Sequence, residues 1–177
     1  VQENEKILHF WELGGGLKLE KILDTIITPD IGRNFYVFVC LNLMNFASID
    51  IANEWLPVIL RRFKSGFGGC FIAATHYEEF EDKEPSFKSK IINGIFALCH
   101  QYGTGLITFS PKHDSLISRF KTLIKSLVIP DVKKPDRILN HNGATLIYPN
   151  DNTDSGETVQ SFLTYVNSEA SKQEKLE

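Results

Sequence analysis

Two short stretches bring together the side chains of this sequence that could do chemistry. They are Thr75-His76-Tyr77-Glu78 and Ser110-Pro111-Lys112, the latter followed by His113-Asp114. An imidazole two residues from a carboxylate could work as an acid–base pair, but neighbouring exposed polar groups on a loop account for His76 and Glu78 equally well. Glu12 offers oxygen to a hard cation, yet a magnesium ion on one carboxylate needs phosphates to bridge. His9 lies within an apolar run and reads as a core histidine, and Cys99-His100 falls mid-helix. His113-Asp114 reads as the opening of a helix, with Asp114 capping it. No nucleophile, base and orienting acid assemble from these contexts. Cys40, Cys70 and Cys99 sit far apart, each in an apolar run and none in a Cys-x-x-Cys pair, which points to buried reduced thiols.

The elements that must position these residues follow from hydrophobic pattern. Apolar runs at 7–11 (ILHFW), 35–41 (FYVFVCL), 70–74 (CFIAA) and 106–109 (LITF) read as strands buried on both faces, the signature of a parallel sheet. Helical patterns alternate with them. Residues 50–63 carry Ile51, Trp55, Ile59 and Phe63 at four-residue spacing, with Pro57 expected to kink the helix or mark a late start. Residues 85–102 have Pro in the first turn, apolar Phe87, Ile91, Ile95, Leu98 and Tyr102, and Gly103 as a stop signal. Residues 114–128 repeat the logic. This alternation predicts right-handed crossovers and a doubly wound α/β sheet.

Beyond Pro130 the composition turns polar. Residues 131–142 read as a connecting arm, 144–148 as an edge strand, and 150–156 as a turn-rich linker. Asp154 and Glu157 suggest a capping-box-like start for a last helix with Val159, Phe162, Leu163 and Val166 on a narrow apolar stripe. That stripe needs a cover, either the sheet or a partner, which makes Phe162, Leu163 and Val166 candidate partner-binding residues. Trp55 joins them by residue type, whereas Trp11 reads as packing the core.

The 177 residues suit one domain of ordinary size. A net charge of −3 and a pI near 6.0 leave no large basic footprint for nucleic acid. No apolar stretch approaches the ~18 residues of a membrane span, and no signal-peptide pattern opens the chain. The opening at Val1 suggests a fragment or a sequence with parts left out, and the abrupt joint Lys64-Ser65-Gly66-Phe67-Gly68-Gly69 reads as a tight loop or the place of a missing insertion.

Three strand ends carry a common theme. In Ras-like GTPases, W-D-x-x-G-Q follows a strand: its aspartate serves magnesium, its glycine amide meets the terminal phosphate and its glutamine orients water. Here Trp11-Glu12-Leu13-Gly14-Gly15-Gly16 puts Glu12, Gly15 and Gly16 at those places, and a glycine cannot orient water. Thr75-His76-Tyr77-Glu78 stands where N-K-x-D would read guanine, and Ser110-Pro111-Lys112 resembles the S-A-K loop beside the base. No segment matches the phosphate loop GxxxxGK[ST]. The chain therefore resembles a degenerate Ras-like domain that lacks its N-terminal phosphate-loop unit.

Within that group it is most similar to the dynein light intermediate chain family, in the form serving retrograde intraflagellar transport. HFWELGGG at 9–16, SIDIANEWLPVIL at 48–60, FIAATHYEEF at 71–80 and ALCHQYGTGLITFS at 97–110 carry the resemblance. It implies a pseudo-GTPase core over 1–129, and over 130–177 a C-terminal arm, edge strand and helix docking on the core or heavy chain. It further implies a non-catalytic motor subunit that binds the dynein heavy-chain tail beside other dynein and intraflagellar transport subunits. The implied locations are cytoplasm, cytoskeleton and cilium, including axoneme and ciliary base, with neither nucleic acid nor membrane as partner. No cofactor is implied; GTP or GDP would enter only with a phosphate loop upstream, which is the alternative reading of a nucleotide-binding switch.

Overall fold

A computed structural model of the chain describes residues 7–14, 18, 20–26, 35–62, 68–151 and 156–173. Among these, strands β1 (Tyr36–Asn42), β2 (Gly69–Thr75), β3 (Gly105–Thr108) and β4 (Leu146–Ile147) form one sheet in the order β1-β2-β3-β4. β1, β2 and β3 run parallel, and β4 closes the far edge antiparallel to β3. Helices α1 (Glu20–Ile26), α2 (Phe46–Arg62), α3 (Tyr77–Phe80), α4 (Pro85–Tyr102), α5 (Asp114–Val128) and α6 (Val159–Gln173) complete the described elements.

Alternation along the strands divides the core. Val39 and Leu41 of β1 join Cys70, Ile72 and Ala74 of β2 in a layer with α2, α4 and α6. Phe71, Ala73, Ile107 and Leu146 face the other way and meet Leu123 of α5, with Phe38 and Phe120 packed beside them. Phe38 stacks on Phe71 at a centroid distance of 5.4 Å and meets Phe120 edge-on at 5.7 Å. Helices thus cover both faces, as near-continuous apolar strands require.

The helix ends follow local chemistry. Asn45 caps α2, its Oδ1 accepting the Ala47 N–H at 3.0 Å. Pro85 opens α4, and Gly103 closes it in the left-handed conformation (φ 61). At Gly103 an added Cβ would lie 2.7 Å from Asn150 Oδ1. Thr158 caps α6, its hydroxyl oxygen accepting the Ser161 N–H at 3.1 Å. Glu157, just before it, meets Lys90 of α4 at 2.9 Å. Phe162 and Val166 of α6 are fully buried across α2 and α4. The arm before β4 is tied down by Ile138 pairing with Leu146 and by the Tyr148 hydroxyl donating to Pro135 O at 2.7 Å.

Several expectations need correction. Residues 7–11 are not a strand: they have no ladder partner among the described residues, and Ile7, Phe10 and Trp11 are 70–76% exposed. Neither His9 nor Trp11 therefore belongs to the core. An apolar run specifies a buried strand only when neighbouring strands cover it, and pattern cannot supply the neighbour. The buried stripe of α2 is Ile49, Ala52, Leu56 and Ile59 rather than Ile51 and Trp55, and the helix starts four residues earlier than expected and runs through Pro57 unbroken. Phe63 and Asp154 lie outside the described residues. Cys40 is exposed on the outer strand, while Cys70 and Cys99 are buried. Asp114 occupies the first turn of α5 instead of capping it; His113 is the cap residue, with no side-chain cap bond.

Candidate functional site

The parallel register places Asn42 beside Thr75 and Ala74 beside Thr108, so the carboxyl ends of three strands share one rim. In open α/β sheets, ligands bind outside that rim. Thr75, His76, Glu78, Ser110 and Lys112 all gather there. Glu12 approaches the same end: its carboxylate, after partial burial, raises the Cys40 thiol pKa. Gly15 and Gly16 lie outside the described residues.

Thr75, His76 and Ser110 are engaged within the protein through their side chains, whereas Lys112 is exposed and contributes its backbone N–H. The Thr75 hydroxyl donates to Leu41 O at 3.1 Å, tying β2 to β1. His76 Nδ1 lies 3.0 Å from that hydroxyl, whose one proton is already committed, so Nδ1 carries the proton of this contact. His76 takes a left-handed conformation (φ 61, ψ 33), which costs a non-glycine residue about 1–2 kcal/mol. The turn feeds β2 straight into α3 and buries Tyr77. His76 and Glu78 turn to different partners and form no acid–base pair.

Glu78 lies near Ser110. The Ser110 hydroxyl beside it holds the Glu78 carboxyl below the usual range, helped by Glu78's own backbone N–H and the charges of Lys112 and His76. Ser110 is fully buried and its oxygen accepts the Lys112 N–H at 3.1 Å. His113 Nδ1 lies 3.1 Å from the same oxygen, and Nε2 lies 3.0 Å from Glu81 Oε2. The His113 ring meets Tyr77 edge-on at 5.8 Å. Sequence reasoning missed Glu81, Tyr77 and the bridging role of His113, since only the fold brings the loop after α3 against the start of α5.

The candidate partner-binding residues separate. Phe162 and Val166 are fully buried inside this chain, which removes them from reach of a docking partner. The cover that their apolar stripe called for is α2 and α4. Trp55 and Leu163 are half-buried at the edge of that layer. A shallow depression lined by Cys99, His100, Gly103, Asn150 and Asp151 lies at the opposite, amino end of the sheet. Among the described residues, no three His, Cys, Asp or Glu side chains gather as a metal site, and no helix is long and apolar enough to cross a membrane.

No family model and no curated protein matches the sequence. A solved structure does match: the crystal structure of the dynein light intermediate chain's conserved domain superposes with a TM-score of 0.57 over 82% of this chain, at 12% identity. This chain has the fold of that domain. It spans 64% of the length of the light intermediate chain domain it matches. The light intermediate chain fold is Ras-like, with a mostly parallel open sheet, and the rim described above is the end at which such folds carry nucleotide motifs.

Proposed function

We propose that this chain is the Ras-like domain of a dynein light intermediate chain and acts as a non-catalytic accessory subunit. It binds the dynein heavy-chain tail and works beside other dynein and intraflagellar transport subunits in the ciliary, retrograde motor. Its sites are the cytoplasm, the microtubule cytoskeleton and the cilium, from axoneme to base. The observation that carries this reading is the fold shared with the light intermediate chain domain over 82% of the chain.

Two features support the pseudo-GTPase part. Gly16 stands where a hydrolytic glutamine belongs. The positions that would read a base, Thr75, His76, Glu78, Ser110 and Lys112, are engaged with one another or with neighbouring loops. The test is a pull-down of the full-length subunit with the heavy-chain tail, followed by nucleotide analysis of the denatured bound material. Stable capture without nucleotide is expected. Failure to capture the tail would overturn the subunit reading, and stoichiometric GTP or GDP would replace the pseudo-GTPase part with a nucleotide-binding switch.

A further inference from the structure

The two ends of the sheet carry exposed charge of opposite sign. α5 starts at the rim and runs back along the sheet, with Lys121 and Lys125 exposed one turn apart. Lys134 follows in the arm, its Nζ 5.4 Å from the centroid of the Tyr148 ring, whose hydroxyl donates to Pro135 O. Tyr148 packs in the same layer as Leu127 of α5, and it comes just after Ile147, the partner of Leu106 near the start of β3. The three lysines therefore lie on the α5 side, toward the amino end of the strands. None of them has a carboxylate partner among the described residues, while nearby Asp136 and Asp151 are engaged by Lys133 and Arg137 at 3.5 Å. Asp131, also exposed, offsets one charge of the three.

The turn after α3 has the reverse balance. Glu79, Asp82 and Glu84 are exposed and without a cation partner among the described residues. Glu81 beside them meets His113 Nε2 at 3.0 Å, which holds the turn at the carboxyl rim. Two bases stand close: Lys83 within the turn, and Lys88, whose ammonium donates to the turn's own backbone at Glu81 O, 2.8 Å away.

Within one copy these charges stay apart. β2 alone has seven residues, a rise of about 20 Å, against a screening length of ~8 Å at physiological salt. We propose that the basic end of one copy seats the acidic turn of a second copy. Charge complementarity names the occupant, since the same molecule carries both halves of the contact. The two surfaces lie at opposite ends and not on one self-complementary patch, so the contact is heterologous and copies line up head to tail along the strand direction. Lysine ammonium groups on flexible stems act as point charges, which makes the contact weak and sensitive to salt. The inference does not depend on which partner the chain serves.

Sedimentation velocity of the chain over a concentration series tests this, with the association constant expected to fall by about tenfold or more between about 20 mM and about 300 mM salt. Lys121→Glu/Lys134→Glu and Glu79→Lys/Asp82→Lys change only exposed positions and should keep the thermal transition. Each variant alone should lose the self-association, and an equimolar mixture of the two should regain it. In that mixture, amide resonances should shift at 121–134 of the first variant and 79–84 of the second. A wild type that sediments unchanged with concentration at low salt would overturn the proposal. Association that survives both variants would place the contact elsewhere, and a mixture that stays dissociated would sink the pairing of these two surfaces. Shifts spread over the whole surface would reduce the rescue to attraction between net charges and overturn the specific contact. Binding of a polyglutamate peptide at the lysines, in a chain that does not self-associate, would replace the second copy with another acidic polypeptide.

Discussion

Phe162 of α6 lies so close over Gly94 of α4 that a Cβ on the glycine would sit 2.1 Å from Phe162 Cδ2. This contact fixes where α6 crosses the helical layer, and it explains a glycine in the middle of an 18-residue helix. Ala is worth about 1 kcal/mol over Gly in a helix interior. The overlap outweighs that gain. Gly94→Ala should lower stability by about 1–3 kcal/mol net in urea unfolding; a stabilised variant would show that α6 shifts freely on α4.

The burial of Phe162 and Val166 separates folding from binding. Phe162→Ala should cost about 3–5 kcal/mol, and Phe162→Asp should leave little folded protein by circular dichroism. Loss of heavy-chain capture in such a variant would therefore say nothing about an interface. Trp55→Gln and Leu163→Gln act at half-buried positions and should keep a cooperative thermal transition. Reduced capture of the heavy-chain tail by these two, with the transition retained, would place the partner on the α2–α6 surface; full capture would move it elsewhere.

Lys90 and Glu157 join α4 to the start of α6, and this contact should respond to acid. The Ser161 hydroxyl, and then Lys90, lower the Glu157 carboxyl pKa below its unfolded value. A depressed carboxyl stabilises the fold wherever the unfolded group, near ~4.3, is already ionised. That contribution is present at neutral pH and fades as pH falls through the folded value. Glu157→Gln should cost about 1 kcal/mol or less at neutral pH and flatten the stability curve only on the acid side. An equal loss at all pH values would point to packing instead of charge.

Thiol chemistry should distinguish the three cysteines. Burial pushes the Cys70 and Cys99 thiols up to about 12. Both are 2% exposed, whereas Cys40 opens to solvent from the outer strand. Reaction requires thiolate and access. A maleimide at mild alkaline pH should modify Cys40 alone in the native protein, and the other two only after denaturant unfolds it. Early labelling of Cys99 in mass spectrometry would reveal local opening of α4.

The sequence reading was strongest where a local signal and a tertiary partner coincide. α4 and α5 run over the expected residues because Pro85, Gly103 and the 3.6-residue apolar period all agree. The inner strands were legible from runs too apolar to face water on either side. Residues 7–11 carry the same type of run, yet pattern alone cannot say whether a neighbouring strand is there to hydrogen-bond it. The start of α2 was missed because Asn45, its true cap, lies five residues before the expected start, and the buried stripe is Ile49, Ala52 and Leu56 with Ile59, not Ile51 and Trp55. The rim was half legible. Thr75 to Glu78 and Ser110 to Lys112 stood out as motif positions, but Glu81 and His113 are 32 residues apart and carry no shared spacing signal.

The strand order also sets a schedule. β1, β2 and β3 join in the order in which they are made, so each crossover can settle soon after it leaves the ribosome. The helical layer cannot. Its seal is α6, whose Phe162 and Val166 come from the last stretch of the described chain and close over α2 and α4. A nascent chain that has not yet emerged through Val166 carries the Gly94 side of α4 open to water, a surface for chaperones to hold during synthesis and one that disappears when the last helix docks.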